Sequence, residues 1–253
     1  MKISIITATY QSEKTVKETL ESVLSQTYTD YEHIIVDGLS KDHTMEIVKS
    51  YESQYQGRLR YISEKDSGLY EAMNKGIQMA TGDVIGILNS DDIYASKDVL
   101  QTIAETFERT NCDGTYADLI FMDEQTMRIP QRIWKSEKGE VNKGWHPAHP
   151  TLYLKREVYG KVGLFHLNYR IAADYDFMIR MLKDKTISLV YIPKTIVYMR
   201  AGGASTNGLK GYSKNLKEAH QVLKQNEIQH PYLVDARRIL KTVGQMLHSK
   251  FEK

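Results

Sequence analysis

Between residue 2 and about residue 110, short apolar runs of the β type alternate with amphipathic helical patterns. This alternation predicts an α/β fold with a mostly parallel sheet flanked by helices. The last apolar run is almost free of polar residues, as is typical of a strand covered on both faces. Predicted strands are Ile3–Thr7, His33–Asp37, Leu59–Ile62 and Asp83–Leu88, and predicted helical stripes are Val16–Leu24, Leu69–Ala80 and Val99–Phe107.

The pattern changes after residue 110, because every proline of the chain occurs from Pro130 onward. Pro130, Pro147 and Pro150 are close together, which predicts a long crossover without regular structure. After the crossover, 3-4 spacing of apolar residues predicts two C-terminal helices. The elements predicted in this part are helices at Lys155–Val162 and Asp174–Lys183, strands at Ile187–Ile192 and Thr195–Met199, and helices at residues 209–223 and 233–247.

Composition fits either one soluble globular domain or one domain with an appendage, since 41% of the residues are hydrophobic and 26% are charged. No stretch approaches the ~18 apolar residues of a membrane span, and the N-terminal residues lack a secretory cleavage pattern. Cys112 is the single cysteine, so an intrachain disulfide is excluded. We therefore expect a cytoplasmic protein.

The charge of the chain is unevenly distributed. Residues 206–253 carry a net charge of +5 and the remainder −3, which gives +2 in total. The weakly acidic body argues against nucleic acid as a partner. The basic C-terminal segment is explained either by contact with an anionic surface or by a solvated helix face.

Ligands of open α/β sheets bind beyond the carboxyl ends of the strands, so the residues that follow each strand are the candidates for chemistry. The first such loop, Thr7–Tyr10, has no glycine, and the chain has neither a dinucleotide-binding Gly-x-Gly-x-x-Gly turn after a strand nor a P-loop. Rossmann dehydrogenases and P-loop NTPases are therefore disfavoured. Asp37 ends the second strand, where it is placed to accept hydrogen bonds from a base or a ribose.

Two adjacent carboxylates, Asp91 and Asp92, follow the fourth strand with no lysine or arginine before Lys97 to neutralise them. Mg²⁺ and Mn²⁺ take carboxylate oxygens from a protein and phosphate oxygens from a ligand, so this pair predicts a divalent metal site. The alternative is a cap for the helix that begins near Ser96, from which Asp92 is rather distant.

Two more clusters carry titratable groups. His146 and His149 lie in a proline-rich turn, and Asp174 and Asp176 lie at the start of a helix. Imidazoles bind metals, and a helix N-terminus favours an anion. The spacing leaves open whether Asp174 is a helix cap or a catalytic base.

Taken together, residues 1–205 resemble the family 2 glycosyltransferases of the GT-A fold, of the type that builds bacterial polysaccharides. The stretch Glu64–Gly76, with the sequence EKDSGLYEAMNKG, carries most of this resemblance, together with Ala80–Gly86 and the Asn89–Asp92 motif. The resemblance implies a GT-A catalytic domain at 1–205, with a nucleotide-binding half at 1–110 and an acceptor half at 111–205. Residues 206–253 would then form a C-terminal helical extension.

The resemblance also implies roles for single residues. Asp92 is expected to be the metal ligand and Asp174 the catalytic base, with Asp176 as the rival base. His149 would approach the acceptor or the metal, or is a simple turn histidine. The residues expected to bind the nucleotide or the donor are Thr7, Thr9, Tyr10, Asp37, Asp66, Asn74, Ser90 and Asp91.

The implied activity is inverting transfer of a sugar, assisted by Mn²⁺ or Mg²⁺, from a nucleotide-sugar donor, with UDP as the expected nucleotide. The acceptor would be a glycan or a lipid-linked hydroxyl compound. The C-terminal helices would either touch the inner face of the membrane peripherally or form a homodimer. The alternatives are a sugar-nucleotide pyrophosphorylase, although the loop after the first strand has no glycine, and a non-catalytic partner of a sister glycosyltransferase.

Overall fold

The computed structural model describes residues 1–202 and 208–251, which form one mixed sheet flanked by helices. The α/β class is confirmed. The strands are β1 (Ile3–Thr9), β2 (Tyr31–Asp37), β3 (Leu59–Ser63), β4 (Val84–Ile87), β5 (Ile93–Tyr94), β6 (Gly114–Met122), β7 (Pro130–Trp134), β8 (Tyr153–Lys155) and β9 (Leu189–Arg200). The helices are α1 (Val16–Leu24), α2 (Thr44–Ser50), α3 (Glu52–Tyr55), α4 (Leu69–Met79), α5 (Val99–Thr110), α6 (Arg156–Val162), α7 (Ala173–Lys183), α8 (Gly208–Gln225) and α9 (Pro231–Phe251).

The N-terminal half is a parallel sheet in the order β3-β2-β1-β4, as the alternating pattern predicts. β1, β2 and β4 are buried along their whole length, because α1 and α5 pack on one face and α4 on the other. The carboxyl ends of these strands meet at one edge of the sheet, and this edge carries the loops with the candidate residues.

The second half of the sheet is mixed. β8 runs antiparallel to both β4 and β6, while β6 and β9 are parallel. The two strands predicted at Ile187–Ile192 and Thr195–Met199 are one strand, β9, whose register with β6 shifts around Pro193. A proline cannot donate a ladder hydrogen bond, so the sheet accommodates it with an irregularity.

The crossover predicted around the prolines is only partly irregular, and in this respect the prediction is wrong. Pro130 begins β7, which pairs with the outer part of β6. A proline is tolerated as the first residue of a strand that lies at an edge. Short 3-10 turns occupy Val141–Lys143 and His149–Thr151.

The two C-terminal helices form as predicted, and both pack on the rest of the protein. α8 contacts α7, and α9 contacts β7, where Arg132 Nε donates to Gln245 Oε1 at 2.8 Å. Val234 on α9 is buried among the core residues. Among the helices that the structure describes, none has the length and apolar character needed to cross a membrane.

Candidate active site

A cleft of about 390 Å³ opens at the carboxyl ends of β1 and β4. It brings together five of the residues singled out from the sequence, Ser90, Asp91, His146, His149 and Asp174. Its far wall is made by β7, α8 and α9, so the C-terminal segment forms part of the site. A shallower groove lined by Tyr10 and other polar residues shares Ser90 and Asp91 with the cleft.

The two carboxylates after β4 have different environments. Asp92 is fully buried, and its oxygens accept hydrogen bonds from Asn89 Nδ2 at 2.8 Å and from the backbone N–H of Arg200 at 3.1 Å. Asp92 thus ties the β4 loop to the end of β9. Asp91 lines both the cleft and the groove. Asp91 is therefore the carboxylate that faces the open space, and the expectation that Asp92 is the metal ligand stays a prediction.

Burial raises the pKa of Asp91, and it raises that of Asp92 well above its ordinary value, with the neighbouring charge of Asp91 adding to the effect. A divalent cation at Asp91 would favour the ionised carboxylate. Within residues 1–202 and 208–251, no three His, Cys, Asp or Glu side chains converge as a complete metal site would require. The donor set here therefore fits a cation that takes most of its ligands from a diphosphate and from water.

Asp37 lies at the tip of β2 and is fully buried. Its carboxylate accepts hydrogen bonds from Thr9 Oγ1 at 3.0 Å, from the Ser40 N–H at 2.9 Å and from Ser63 Oγ at 2.6 Å. The carboxylate therefore joins the tips of three strands. The half-buried Asp66 lies beside it, because a Cβ added to Gly38 would be 2.9 Å from Asp66 Oδ2. Partial burial raises the pKa of Asp66.

Two residues expected in the donor site have structural contacts. Thr7 is buried, donates to the Leu88 carbonyl at 2.7 Å and contacts His33 Nε2 at 2.9 Å. Burial lowers the pKa of His33 to about 3, so this imidazole is neutral. Asn74 clamps the backbone of Phe165, donating to its carbonyl and accepting from its N–H, both at 2.9 Å. The structure thus places both side chains away from the cleft.

Ser90 and Tyr10 flank Asp91 in the groove. Ser90 Oγ is 2.9 Å from Ser12 Oγ, which connects the β4 loop to the β1 loop. Tyr10 is 61% exposed, so its ring is free to cover a ligand in the groove. Their expected role in nucleotide binding stays a prediction.

The carboxylates on α7 point in different directions, as expected for residues about 200° apart on a helix. Asp174 lines the cleft, and its Oδ1 accepts from Tyr70 Oη at 3.1 Å and from the Tyr175 N–H at 2.8 Å. Asp176 is only 2% exposed, and its Oδ2 pairs with Arg180 at 2.8 Å and with His166 at 2.9 Å. Asp176 is therefore engaged in packing, and Asp174 is the carboxylate that faces the cleft.

His149 lies between Asp174 and the aromatic core. Its ring meets Phe165 edge-on at a centroid distance of 5.6 Å. Burial lowers its pKa, although the charge of Asp174 acts in the opposite direction. A neutral imidazole in the cleft is able to bind a cation or a hydroxyl group, so both expected roles remain predictions.

Sequence reasoning misses several residues of the site. Arg200, at the end of β9, is 9% exposed, lines the groove, and its buried Nε has no hydrogen-bond partner among the described residues. Arg200 lies at the end of a strand, so the rule that ligands of open α/β sheets bind at strand ends would have identified it as a candidate. Arg132, Arg238 and Lys241 also line the cleft, but no local sequence pattern indicates that these three residues lie close together in the folded protein.

Comparisons with known proteins agree with this geometry. The family model described as glycosyl transferase family 2 matches residues 4–171. A PGL/p-HBAD biosynthesis glycosyltransferase of Mycobacterium bovis is 30% identical over 206 residues, which cover 80% of this chain and 78% of that protein. A putative glycosyltransferase of Bacillus subtilis, EpsE, is 30% identical over 161 residues, which cover 62% of this chain and 58% of that protein.

Two solved structures share the fold. S. aureus TarS 1-349 in complex with UDP-GlcNAc superposes with a TM-score of 0.69 at 18% identity, covering 94% of this chain and 72% of that one. The longer TarS chain is matched over 39% of its length. The mannosyltransferase PcManGT from Pyrobaculum calidifontis, in complex with GDP-Man and Mn²⁺, has a TM-score of 0.69 at 16% identity and is covered over 73% of its length, with 98% of this chain.

Proposed function

The chain belongs to glycosyl transferase family 2, and on that premise we propose that it transfers a sugar from a nucleotide-sugar donor to a hydroxyl of a glycan or lipid-linked acceptor, with inversion. The observation that supports this activity best is that Asp91 and Asp174 face one cleft. Asp91 is suited to the side of the cleft from which the diphosphate would leave, and Asp174 is suited to the side at which the acceptor would react.

The donor is proposed to be UDP-linked. Asp37 and Asp66 lie together at the strand tips. The buried Asp37 already accepts hydrogen bonds from Thr9, Ser40 and Ser63, so the half-buried Asp66 is the carboxylate proposed to accept a hydrogen bond from a base or a ribose. Tyr10, Ser90 and Asp91 line the adjoining groove toward the cleft. The complex of TarS with UDP-GlcNAc supports UDP as the nucleotide of the donor. The complex of PcManGT with GDP-Man makes GDP the alternative nucleotide that a test has to include.

Asp91 is the proposed ligand of Mn²⁺ or Mg²⁺, in place of Asp92. When bound, the cation supplies a positive charge that offsets the negative charge growing on the departing diphosphate. The chain itself contributes the Asp91 carboxylate, and Asp92 holds the loop through Asn89 and Arg200. The Mn²⁺ bound by the Pyrobaculum relative supports this assignment.

Asp174 is the proposed general base. It accepts the proton of the acceptor hydroxyl as that oxygen forms its bond to the anomeric carbon, while the nucleoside diphosphate leaves from the opposite face. This in-line geometry produces inversion. Hydrogen bonds from the Tyr175 N–H and Tyr70 Oη hold Asp174 Oδ1, which leaves Oδ2 to face the substrate. A non-catalytic protein would not need to keep both Asp91 and Asp174 in the cleft.

A thermal-shift panel tests the proposed donor. We expect UDP-sugars with Mn²⁺ to raise the melting temperature, because a ligand at 100 times its Kd stabilises the folded state by about 2.7 kcal/mol. The matched controls are the same sugars with EDTA, and GDP-sugars with Mn²⁺. A panel in which no nucleotide-sugar stabilises the protein would contradict the proposal, whereas release of pyrophosphate from a nucleoside triphosphate and a sugar phosphate would indicate a pyrophosphorylase.

The outer face of α9 is proposed to contact a membrane surface peripherally. Tyr232, Leu233, Leu240 and Val243 are exposed there, and Leu240 is 71% accessible. The segment is also basic, with a net charge of +5 over residues 206–253. Exposed apolar side chains beside cations are typical of helices that lie on anionic lipid.

Co-sedimentation with anionic liposomes at low and high salt checks this contact. We expect salt-sensitive binding that Leu240→Glu weakens, because the charge would have to enter the lipid interface. Leu167→Glu is the matched control, since Leu167 is 53% exposed but lies outside α9. Absence of binding at low salt contradicts the membrane contact, and a dimer in light scattering that Leu240→Glu dissociates would instead show a homodimer.

A further inference from the structure

Three cations line the wall of the cleft that β7 and α9 form. They are Arg132 on β7 and Arg238 and Lys241 on α9. Within the described part of the chain, no carboxylate oxygen lies within 4.0 Å of the charged nitrogens of Arg132 or Lys241, while Arg238 has Asp235 of its own helix at 3.5 Å. Glu137 influences Lys241 only from farther away. The wall therefore carries an excess of positive charge.

The three cations converge on one place. Burial, together with the positive charges of Arg238, Lys241 and Arg132, lowers the pKa of His146 to about 3. Burial also lowers the pKa of Arg132 to about 10 and that of Lys241 below its ordinary value, with Arg132 adding to the effect on Lys241. The charges are thus partly desolvated and repel one another. Such an arrangement is costly unless a ligand supplies the opposite charge.

Aromatic rings hold the two guanidinium groups in place. Arg132 lies over the rings of Phe121 and Trp134, at 4.7 and 4.8 Å. Arg238 lies 3.9 Å from the centre of the Tyr175 ring. The His146 ring connects these two parts, 5.1 Å from Trp134 and 5.0 Å from Tyr175. A fixed planar guanidinium matches the oxygens of a phosphate group.

The two faces of α9 have different chemistry. Arg238 and Lys241 face the cleft, whereas Leu240 is about 200° from Arg238 around the helix and faces outward. A single helix, α9, therefore carries cations on the side that faces the cleft and apolar side chains on its outer side.

We propose that Arg132, Arg238 and Lys241 bind a phosphate or diphosphate group that the acceptor carries. This inference rests on the proposed function, because it assigns the acceptor to the α9 side of the cleft and the donor diphosphate to the Asp91 side. A disubstituted diphosphate carries two negative charges, which match Arg132 and Lys241, the two cations of this wall that have no carboxylate within 4.0 Å in the described part of the chain, whereas a single carboxylate neutralises only one of them. The site therefore selects acceptors that bear phosphate, such as a lipid-linked saccharide diphosphate.

Tryptophan fluorescence measures this binding directly, because the chain has two tryptophans and only Trp134 lines the cleft. In the Trp145→Phe protein with EDTA present, inorganic pyrophosphate is expected to change the emission of Trp134 saturably. Lys241→Gln and the double variant Arg238→Gln/Lys241→Gln should raise the Kd, the latter by about tenfold or more. Lys217→Gln is the matched control, since Lys217 is exposed on α8 and does not line the cleft.

Farnesyl diphosphate and farnesol distinguish the source of the phosphate. Tighter binding of farnesyl diphosphate than of pyrophosphate, with none for farnesol, supports a lipid-linked acceptor, and equal binding of the two diphosphates supports a phosphate subsite without lipid contact. Two results overturn the proposal. One is absence of saturable binding, and the other is binding that Asp91→Asn removes and the double variant leaves intact. The measurement needs no donor, so failure of the donor panel alone would reject only the proposed function.

Discussion

Asp174→Asn is expected to lower kcat for sugar transfer by about 10²-fold or more while leaving the Kd for the nucleoside diphosphate nearly unchanged. The amide keeps the shape of the side chain and an oxygen for the Tyr175 N–H, but it does not take up a proton. The proposed donor site lies at the tips of β1, β2 and β4, whereas the hydrogen bonds of Asp174 within the described residues come from Tyr70 and Tyr175. The measurement is kcat beside nucleotide Kd, once an acceptor is known.

Asp176→Asn is the matched control on the same helix. Asp176 pairs with Arg180 and His166 and accepts from Asn226 Nδ2 at 3.0 Å, away from the cleft. Its substitution should lower the free energy of unfolding by about 1–3 kcal/mol, with turnover per folded molecule nearly normal. Normal turnover in Asp174→Asn, or loss of nucleotide affinity in step with activity, would show that Asp174 is a cap or a binding residue.

Asp91→Asn is expected to abolish the metal-dependent part of donor binding. Loss of one charged partner in a half-buried site typically costs 2–5 kcal/mol, which corresponds to a rise in Kd of about 30-fold or more. Asp92→Asn should retain metal-dependent binding and lose stability instead, because both oxygens of Asp92 accept hydrogen bonds inside the protein.

Calorimetric titration of the nucleotide-sugar with and without Mn²⁺ separates the two carboxylates. The melting temperature of each variant, measured without ligand, is the control for folding. If Asp92→Asn loses metal dependence while Asp91→Asn keeps it, the original expectation for Asp92 is right and the assignment made from burial is wrong.

The parallel half of the fold was predictable because its strands are buried on both faces. β1, β2 and β4 therefore appear as apolar runs with bounds close to those in the structure. β6 was missed because its apolar residues are interrupted by Thr115 and Asp118, and the Asp118 carboxylate is accommodated by hydrogen bonds from the Ser136 N–H and from Tyr191 Oη. β7 was missed because a proline at its first position suggested an irregular segment. Whether such a segment becomes a strand depends on its pairing with a strand that is distant in the chain. The local sequence pattern carries no information about that pairing.

The family assignment and the position of the cleft also followed from the sequence, and the family is confirmed. Asp91 and Asp92 are adjacent, so the sequence does not tell which side chain turns inward. Asn74 belongs to the motif that carries the resemblance, but its amide clamps Phe165, a residue far away in the chain. Arg132, Arg238 and Lys241 come from β7 and α9, and only the folded chain brings these three cations together.

In the proposed assignment, the placement of α8 and α9 along the cleft puts part of acceptor recognition in a later segment of the chain than donor recognition. The family match covers residues 4–171, whereas α9 begins at Pro231 and contributes Arg238 and Lys241 to the cleft. Substitutions of Arg238 and Lys241 would therefore change this wall of the cleft without changing the tips of β1, β2 and β4. Under the proposed roles, two proteins with similar residues 4–171 can differ in their acceptors, because new acceptor preferences can arise in α8 and α9 while the proposed donor site stays the same.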